Sequence, residues 1–215
     1  MSIDGKTIRN SGQQNPLHII SAWCSENSMV FGQVKVKSKS NEITAIPELL
    51  KKLDRKGKTV TIDAIGSTKN ICQEIIDRGG DYVIALKKNH LSLLEDVEPF
   101  LQNMDFCLAS DVQNDKGHGR AEQRIAAVTH EVRWIQQNHQ WPGLKAIGCI
   151  NSKVLRKGKE TKQTRFFISS RALDAASLNE IVRKHWSIEN QLHWVLDVSY
   201  NEDKCCIRDE MQLKT

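Results

Sequence analysis

Leu17–Trp23 is a mostly apolar run, and in Met29–Lys37 the residues Val30, Gly32, Val34 and Val36 recur at every second position; the two flank a Glu26-Asn27-Ser28 turn. Two strand-like segments either side of a short turn predict a β-hairpin. A shorter mixed strand, Ser2–Arg9, precedes it. The period then changes. Ile46, Leu49, Leu50 and Leu53 fall at helical spacing and predict a helix over Glu42–Leu53, with Pro47 in its first turn and Ser40 or Asn41 as its cap. Beyond Gly57 come a strand at Thr59–Asp63, a helix at Thr68–Arg78 stopped by Gly79-Gly80, a strand at Asp81–Lys87 and a helix at Leu91–Asn103. Strands alternating with helices argue for an α/β sheet with parallel strands. Residues 104–170 are β-rich and loop-rich, with strands near Arg120–Thr129, Leu144–Ile150 and Arg165–Ile168. Helical spacing returns at Ala175 and runs to Asp197. The predicted organisation is an α/β core over 1–103, a β-rich insertion over 104–170, and a return to the core over 171–215.

The last helix carries the most chemistry. His185, Glu189, His193 and Asp197 recur every four residues, beside an apolar arc of Ile181, Ile188, Leu192, Val195 and Leu196 that should face the core. In an α-helix a four-residue step rises about 6 Å, so His185 and His193 lie ~12 Å apart along the axis. Two ligands of one zinc ion lie only about 4 Å apart, given bonds of about 2.1 Å. The stripe is therefore not a three-ligand zinc site, nor is it the His-Glu-x-x-His pattern. Glu189 borders the buried face. From the helix alone it is a carboxylate paired with a nearby Lys or Arg, a solvated residue, or a ligand.

Composition narrows the class. The chain has 215 residues, no run approaches the roughly 20 apolar residues of a membrane span, and the six cysteines include no Cys-x-x-Cys pair. Nor does the first segment have the apolar stretch of a signal peptide. These features suit a cytosolic protein whose thiols serve as small hydrophobes. A net charge of +5 permits a polyanion partner. The charge is gathered in three clusters: Lys35, Lys37 and Lys39; Lys51, Lys52, Arg55, Lys56 and Lys58; and the residues around the Lys157-Gly158-Lys159 turn.

Asp63 ends a predicted strand, and carboxyl ends of strands in open α/β sheets are where sites form. Asp4 lies in the first strand; either could equally be a turn residue. If Asp4, Asp63 and Glu189 converge, they need protons or cations. Two unit charges at about 4 Å repel by roughly 4 kcal/mol at an effective dielectric of 20. Oxygen-only ligands suit Mg²⁺ or Mn²⁺, and two such ions can activate a nucleophile and stabilise a leaving oxygen. Gly5-Lys6-Thr7 is not a phosphate-binding loop, because the earlier glycine and strand are missing. His118 and Glu122 look like a metal pair but equally suit DNA or structural contacts, with Glu122 the alternative third carboxylate.

Several segments in order carry a resemblance. Ile3-Asp4-Gly5-Lys6-Thr7, Gly32-Gln33-Val34-Lys35-Val36, Val60-Thr61-Ile62-Asp63-Ala64, Gly79-Gly80-Asp81-Tyr82-Val83, Gly117-His118-Gly119-Arg120, Trp141-Pro142-Gly143-Leu144 and His185-Trp186-Ser187-Ile188-Glu189-Asn190 resemble bacterial insertion-sequence transposases of the H-repeat-associated type. The resemblance spans Ile3 to about Arg208. It implies a ribonuclease-H-like mixed sheet with flanking helices, interrupted by a β-rich insertion before the last helix. It implies an Asp-Asp-Glu site of Asp4, Asp63 and Glu189 holding two Mg²⁺ or Mn²⁺ ions, which leaves His185, His193 and Asp197 supporting or surface roles. It also implies Lys6, Arg9, Lys87, His118, Arg120, Lys157 and Lys159 as contacts to double-stranded DNA, at element ends and at the target. A cytoplasmic, nucleoid-associated location and a homodimer on DNA follow from the same resemblance.

Relative to that family the chain looks cut at both ends, because Asp4 nearly starts it and the match fades after Ile207-Arg208. Two alternatives therefore stand beside a transposase core: a standalone metal-dependent nuclease of the same fold, and a non-catalytic DNA-binding remnant.

Overall fold

Strand β1 (Ser2–Ile8) pairs antiparallel with β2 (Leu17–Cys24), which pairs antiparallel with β3 (Met29–Val36). On its other side β1 runs parallel to β4 (Thr59–Ile62), and β4 runs parallel to β5 (Asp81–Leu86). Four further strands, β6 (Ser110–Gly117), β7 (Arg120–Thr129), β8 (Ala146–Arg156) and β9 (Lys159–Ser169), form antiparallel pairs in succession, and β9 closes antiparallel onto β5. The result is one sheet ordered β3-β2-β1-β4-β5-β9-β8-β7-β6 in a computed structural model. It describes residues 1–11, 16–36, 42–54, 56–63, 66–102, 110–117 and 119–204. The sheet is mixed, as a ribonuclease-H-like core requires; parallel pairing is confined to β1, β4 and β5.

Helices α1 (Glu42–Lys51), α2 (Lys69–Asp77), α3 (Leu91–Gln102) and α4 (Arg133–His139) pack on one face, through Leu49, Leu50, Ile71, Ile75, Val97 and Ile135. Helix α5 (Ala175–His185) covers the other face with Leu178 and Val182, over Val83, Ala126, Ile150 and Phe167. Local chemistry sets the helix ends. Thr68 accepts a hydrogen bond from the Ile71 amide to cap α2, and Asp174 accepts one from the Ser177 amide to cap α5. Gly79, at φ +75°, closes α2 by donating to Ile76, while Gly80 donates to Ile75.

Several expectations need correction. Pro47 lies inside α1 rather than in its first turn, so one backbone bond is forgone there. The expected caps Ser40 and Asn41 lie outside the described residues. Strand β6 is a mostly polar edge strand, invisible to an apolar-alternation test. The seven-residue α4 is too short to announce itself by periodicity. The final helix is not continuous. After α5 comes a π-helical turn (Ile188–His193) and then a short helix, α6 (Trp194–Val198). Of its expected core-facing arc, only Ile188 is fully buried; Ile181, Leu192, Val195 and Leu196 are partly exposed.

Candidate active site

Side chains of a strand alternate between faces. Ile3 and Ile62 point into the core under α1–α4, so Asp4, Thr61 and Asp63 belong to the α5 face. The parallel pairing of Ile3 with Ile62 sets Asp4 beside Asp63, which follows the last residue of β4. The same alternation brings Val83, Ala85 and Lys87 from β5 and its end, and Arg165 and Phe167 from β9, to one place. Val182, His185, Trp186 and Glu189 close over them. The resulting pocket, about 100 Å³, is lined by all three expected carboxylates: Asp4, Asp63 and Glu189. Its volume has room for ions and water. The carboxylates share the pocket without forming a ready-made cluster: among the described residues, no three Asp, Glu, His or Cys side chains sit close enough to hold one ion.

The electrostatics are those of carboxylates short of positive charge. Burial pushes the Asp4 carboxyl up to about 7, and Glu189 and Asp63 add to that push. Burial and Asp63 also raise Glu189 above its ordinary value, against the opposing pull of Lys87. Lys87 Nζ lies 2.7 Å from Asp63 Oδ1. Two histidines flank the pocket, both held neutral. His185, brought down to about 4 by burial, shares a 2.9 Å hydrogen bond with the Thr61 hydroxyl. His193, also brought down to about 4 by burial, lies 3.7 Å from Asp4 through Nδ1. With His193 neutral and Asp4 favouring its proton, that contact is not an ion pair. The Nε2 of His193 is buried without a hydrogen-bond partner.

Beyond the site, the polar stripe tracks β1. Lys6, two residues past Asp4, is 9 % exposed and holds Asp197 and Glu202 at 2.7 Å each. Ser2, two residues before Asp4, reaches the Lys184 carbonyl at 3.5 Å. The four-residue stripe of the sequence is thus the seam by which α5, the π turn and α6 lie along β1 and β4. The wider hydrogen-bonding ring of the π turn falls where Glu189 leaves the helix, a common place for such turns at functional sites.

Comparison with known proteins decides the family. A family model described as a transposase DDE domain matches residues 1–214. The chain belongs to this DDE transposase family. It is 41 % identical over 221 residues to the "H repeat-associated putative transposase YhhI" of Escherichia coli K12, covering 97 % of this chain and 58 % of that protein. "Putative protein YbfL" of the same strain matches with the same identity and coverage. "Putative transposase YncI" of E. coli O157:H7 is 40 % identical, with 97 % of this chain and 56 % of that protein covered. The chain therefore spans somewhat over half the length of these relatives. Among solved structures, the piggyBac transposase synaptic complex with hairpin DNA superposes with a TM-score of 0.52 at 11 % identity, over 99 % of this chain and 43 % of that one. That likeness concerns the fold.

For a DDE transposase domain, the basic residues named from the sequence divide by accessibility. Lys6 is withdrawn from solvent, because its ammonium is committed to Asp197 and Glu202. Arg9 is 82 % exposed and touches Asp203 at 3.4 Å. Lys87 lines the pocket, beside Asp63. Arg120 pairs with Glu122 at 3.0 Å, which occupies the alternative third carboxylate away from Asp4 and Asp63. Lys157 and Lys159 are exposed at the tight β8–β9 turn, where Lys157 and Gly158 both take positive φ. His118 lies outside the described residues. Trp186 and Trp194 are exposed rather than packed in the core, and the Arg165 guanidinium lies 5.1 Å from the centre of the Trp186 ring. Thr61 and Arg165 also line the pocket, and neither is among the site residues expected from the sequence. For Arg165 a signal was present: it stands two residues before Phe167 in a strand.

Proposed function

We propose that the chain is the catalytic core of a DDE-type DNA transposase, which cleaves a DNA strand and joins a 3′ hydroxyl to a new phosphate with the help of divalent metal. The observation that carries this reading is the shared pocket of Asp4, Asp63 and Glu189, brought together from β1, the end of β4 and the π turn. The donors fit the implied ions. All three are carboxylate oxygens, the set that suits Mg²⁺ or Mn²⁺ rather than zinc. Asp4 is held near neutrality by burial and by its two acidic neighbours, which is the state a bound cation would reverse. When bound, such ions supply an activated oxygen nucleophile and stabilise the departing one.

The chain's own residues do the rest. Lys87 offsets charge at Asp63 and stands at the pocket mouth, where it can meet a phosphate. Thr61 and His185 form a neutral floor that fixes the turn from α5 towards Glu189. Exposed Lys157 and Lys159 would meet the DNA backbone farther along the sheet.

The test uses supercoiled plasmid DNA with Mn²⁺, scored for nicks and joined products, alongside Mn²⁺ titration. Wild type should bind Mn²⁺, nick and join. Asp4→Asn, Asp63→Asn and Glu189→Gln should each weaken Mn²⁺ binding at least about tenfold, a loss of about 1.4 kcal/mol or more. Nicks without joining would favour a nuclease. Unchanged Mn²⁺ binding in all three variants would remove the assignment.

A further inference from the structure

A second pocket, of about 400 Å³, adjoins the carboxylate pocket, and the two share Arg165, Phe167, Val182 and Trp186 in their walls. Its lining is rich in one kind of charge. Four arginines, Arg120, Arg124, Arg165 and Arg183, stand against two carboxylates, Asp115 and Glu122. The carboxylates are already engaged: Asp115 pairs with Arg183, and Glu122 with Arg120. Arg124 and Arg165 are left over. Arg124 is 9 % exposed and donates to the neutral side-chain oxygen of Gln113 at 2.9 Å. Arg165 stacks over Trp186. Neither has a carboxylate within ion-pair distance among the described residues.

Burying a guanidinium without a directly paired carboxylate is unfavourable, and here two are held in one concave wall. Burial lowers both below the ordinary arginine value, and Arg183 opposes the charge on Arg124 further; Glu122 at both, and Asp115 at Arg124, offset this only in part. What relieves such a wall is an anion with several acceptor oxygens, for which the planar fork of arginine is matched. The buried Ser152 and the exposed Asn190 add polar groups to the same lining. The positive character also continues outward. Arg120 faces Arg156 across β7 and β8, and Arg156 faces Lys159 across β8 and β9, all exposed. A line of cations leading away from the pocket suits a polymer of phosphates better than a single free ion.

We propose that the pocket of Arg124 and Arg165 binds a backbone phosphate of the DNA strand next to the one presented to Asp4, Asp63 and Glu189. This rests on the reading of the carboxylate pocket as a DNA-processing site, and it gives that site a direction: the strand leaves across the β9–β8–β7 surface.

The experiment measures binding of a short fluorescein-labelled DNA duplex by anisotropy over a salt series, with Mn²⁺ titrated separately. Arg124→Gln and Arg165→Gln should each reduce the salt slope of log K by about 1. Arg165→Lys, which keeps the charge, should retain most of the slope. Arg78→Gln, at the C-terminal cap of α2 and outside both pockets, controls for loss of one positive charge and should leave the slope unchanged. Mn²⁺ binding by Arg124→Gln reports that the fold is intact, and Arg165→Gln carries the test if Arg124→Gln does not fold. Unchanged slopes in both glutamine variants, with wild type binding DNA, would overturn the phosphate pocket and leave the metal site standing. Arginine-dependent DNA binding without Mn²⁺ binding or nicking would support the pocket and overturn the catalytic reading. Failure of wild type to bind the duplex would overturn the pocket.

Discussion

Lys6 Nζ lies 2.7 Å from Asp197 Oδ1, and this contact ties the strand carrying Asp4 to the helix that follows Glu189. Glu202 completes the clamp from the other side at 2.7 Å. Removing one member of a buried ionic group leaves the others uncompensated. Here the acidic partners are partly solvated, which reduces the penalty. Lys6→Met should therefore destabilise the protein by about 1–3 kcal/mol, read as a lower melting temperature at pH 7. Burial would lower the Lys6 pKa, but hydrogen bonds to Asp197 and Glu202 outweigh it and raise the value. A raised lysine stabilises fully below its unfolded pKa and loses that contribution as pH rises through the folded value. The gap between wild type and Lys6→Met should accordingly close at pH above the ordinary lysine range. A gap that persists there would mean Lys6 acts through its packed stem rather than its charge.

Asp4 makes the second prediction. Its folded value of about 7 exceeds the ordinary value of 3.8, so the folded state holds the proton more tightly. That contribution is complete below the unfolded pKa and is lost as pH rises through about 7. The two histidines run the opposite way. Lowered to about 4, they contribute above their unfolded value and lose that contribution as pH falls through about 4. Comparing wild type with Asp4→Asn isolates the carboxylate. The variant should melt higher than wild type at pH 8, with the difference shrinking towards pH 4 when no divalent ion is present. Equal melting temperatures at pH 8 would remove Asp4 as a site of electrostatic strain.

At the pocket mouth, a cation held by Asp63 would compete with Lys87. The pair is about half exposed, so it is worth at most about 1 kcal/mol. Lys87→Met should thus tighten Mn²⁺ binding to the DNA-free protein by up to about fivefold, while weakening duplex binding. Calorimetric Mn²⁺ titration and anisotropy would separate the two effects. Loss of Mn²⁺ affinity would show that Lys87 holds Asp63 in place instead of competing for it.

Gly148 tests how the site is supported from beneath. A Cβ there would lie 2.7 Å from the Ala127 carbonyl oxygen and 2.7 Å from Leu178 Cδ2 of α5. Gly148→Ala should cost about 1–3 kcal/mol by overpacking. Because α5 leads directly into Glu189, it should also weaken Mn²⁺ binding, whereas Gly158→Ala at the exposed hairpin turn should not. Normal Mn²⁺ affinity in a destabilised Gly148→Ala protein would uncouple α5 packing from the site.

Much of this architecture was legible because burial writes a period into sequence. The strands of the core and the helices around Leu49, Ile75 and Val97 announce themselves by alternating or helical apolar spacing. Asp63 was legible from its place at a strand end, and Asp4 and Glu189 from the ordered motifs of the resemblance. The polar edge strand β6 was not, because it buries little on either face. The π turn was not either, since nothing in Ile188–His193 distinguishes it from an ordinary helical stretch. Arg124 and Arg165 were hidden for another reason. Their meaning depends on which carboxylates stay out of reach, and that is settled by the pairing of β7, β8 and β9 rather than by local composition.

The order of strands also sets when the site can come into being during synthesis. Asp4 and Asp63 are held side by side by early strands, but β5 receives its outer neighbour from β9, and Glu189 follows later still. A chain emerging from the ribosome therefore exposes two aspartates long before the glutamate that completes the pocket. Until α5 docks and Lys6 meets Asp197, the pocket that joins Asp4, Asp63 and Glu189 is not assembled.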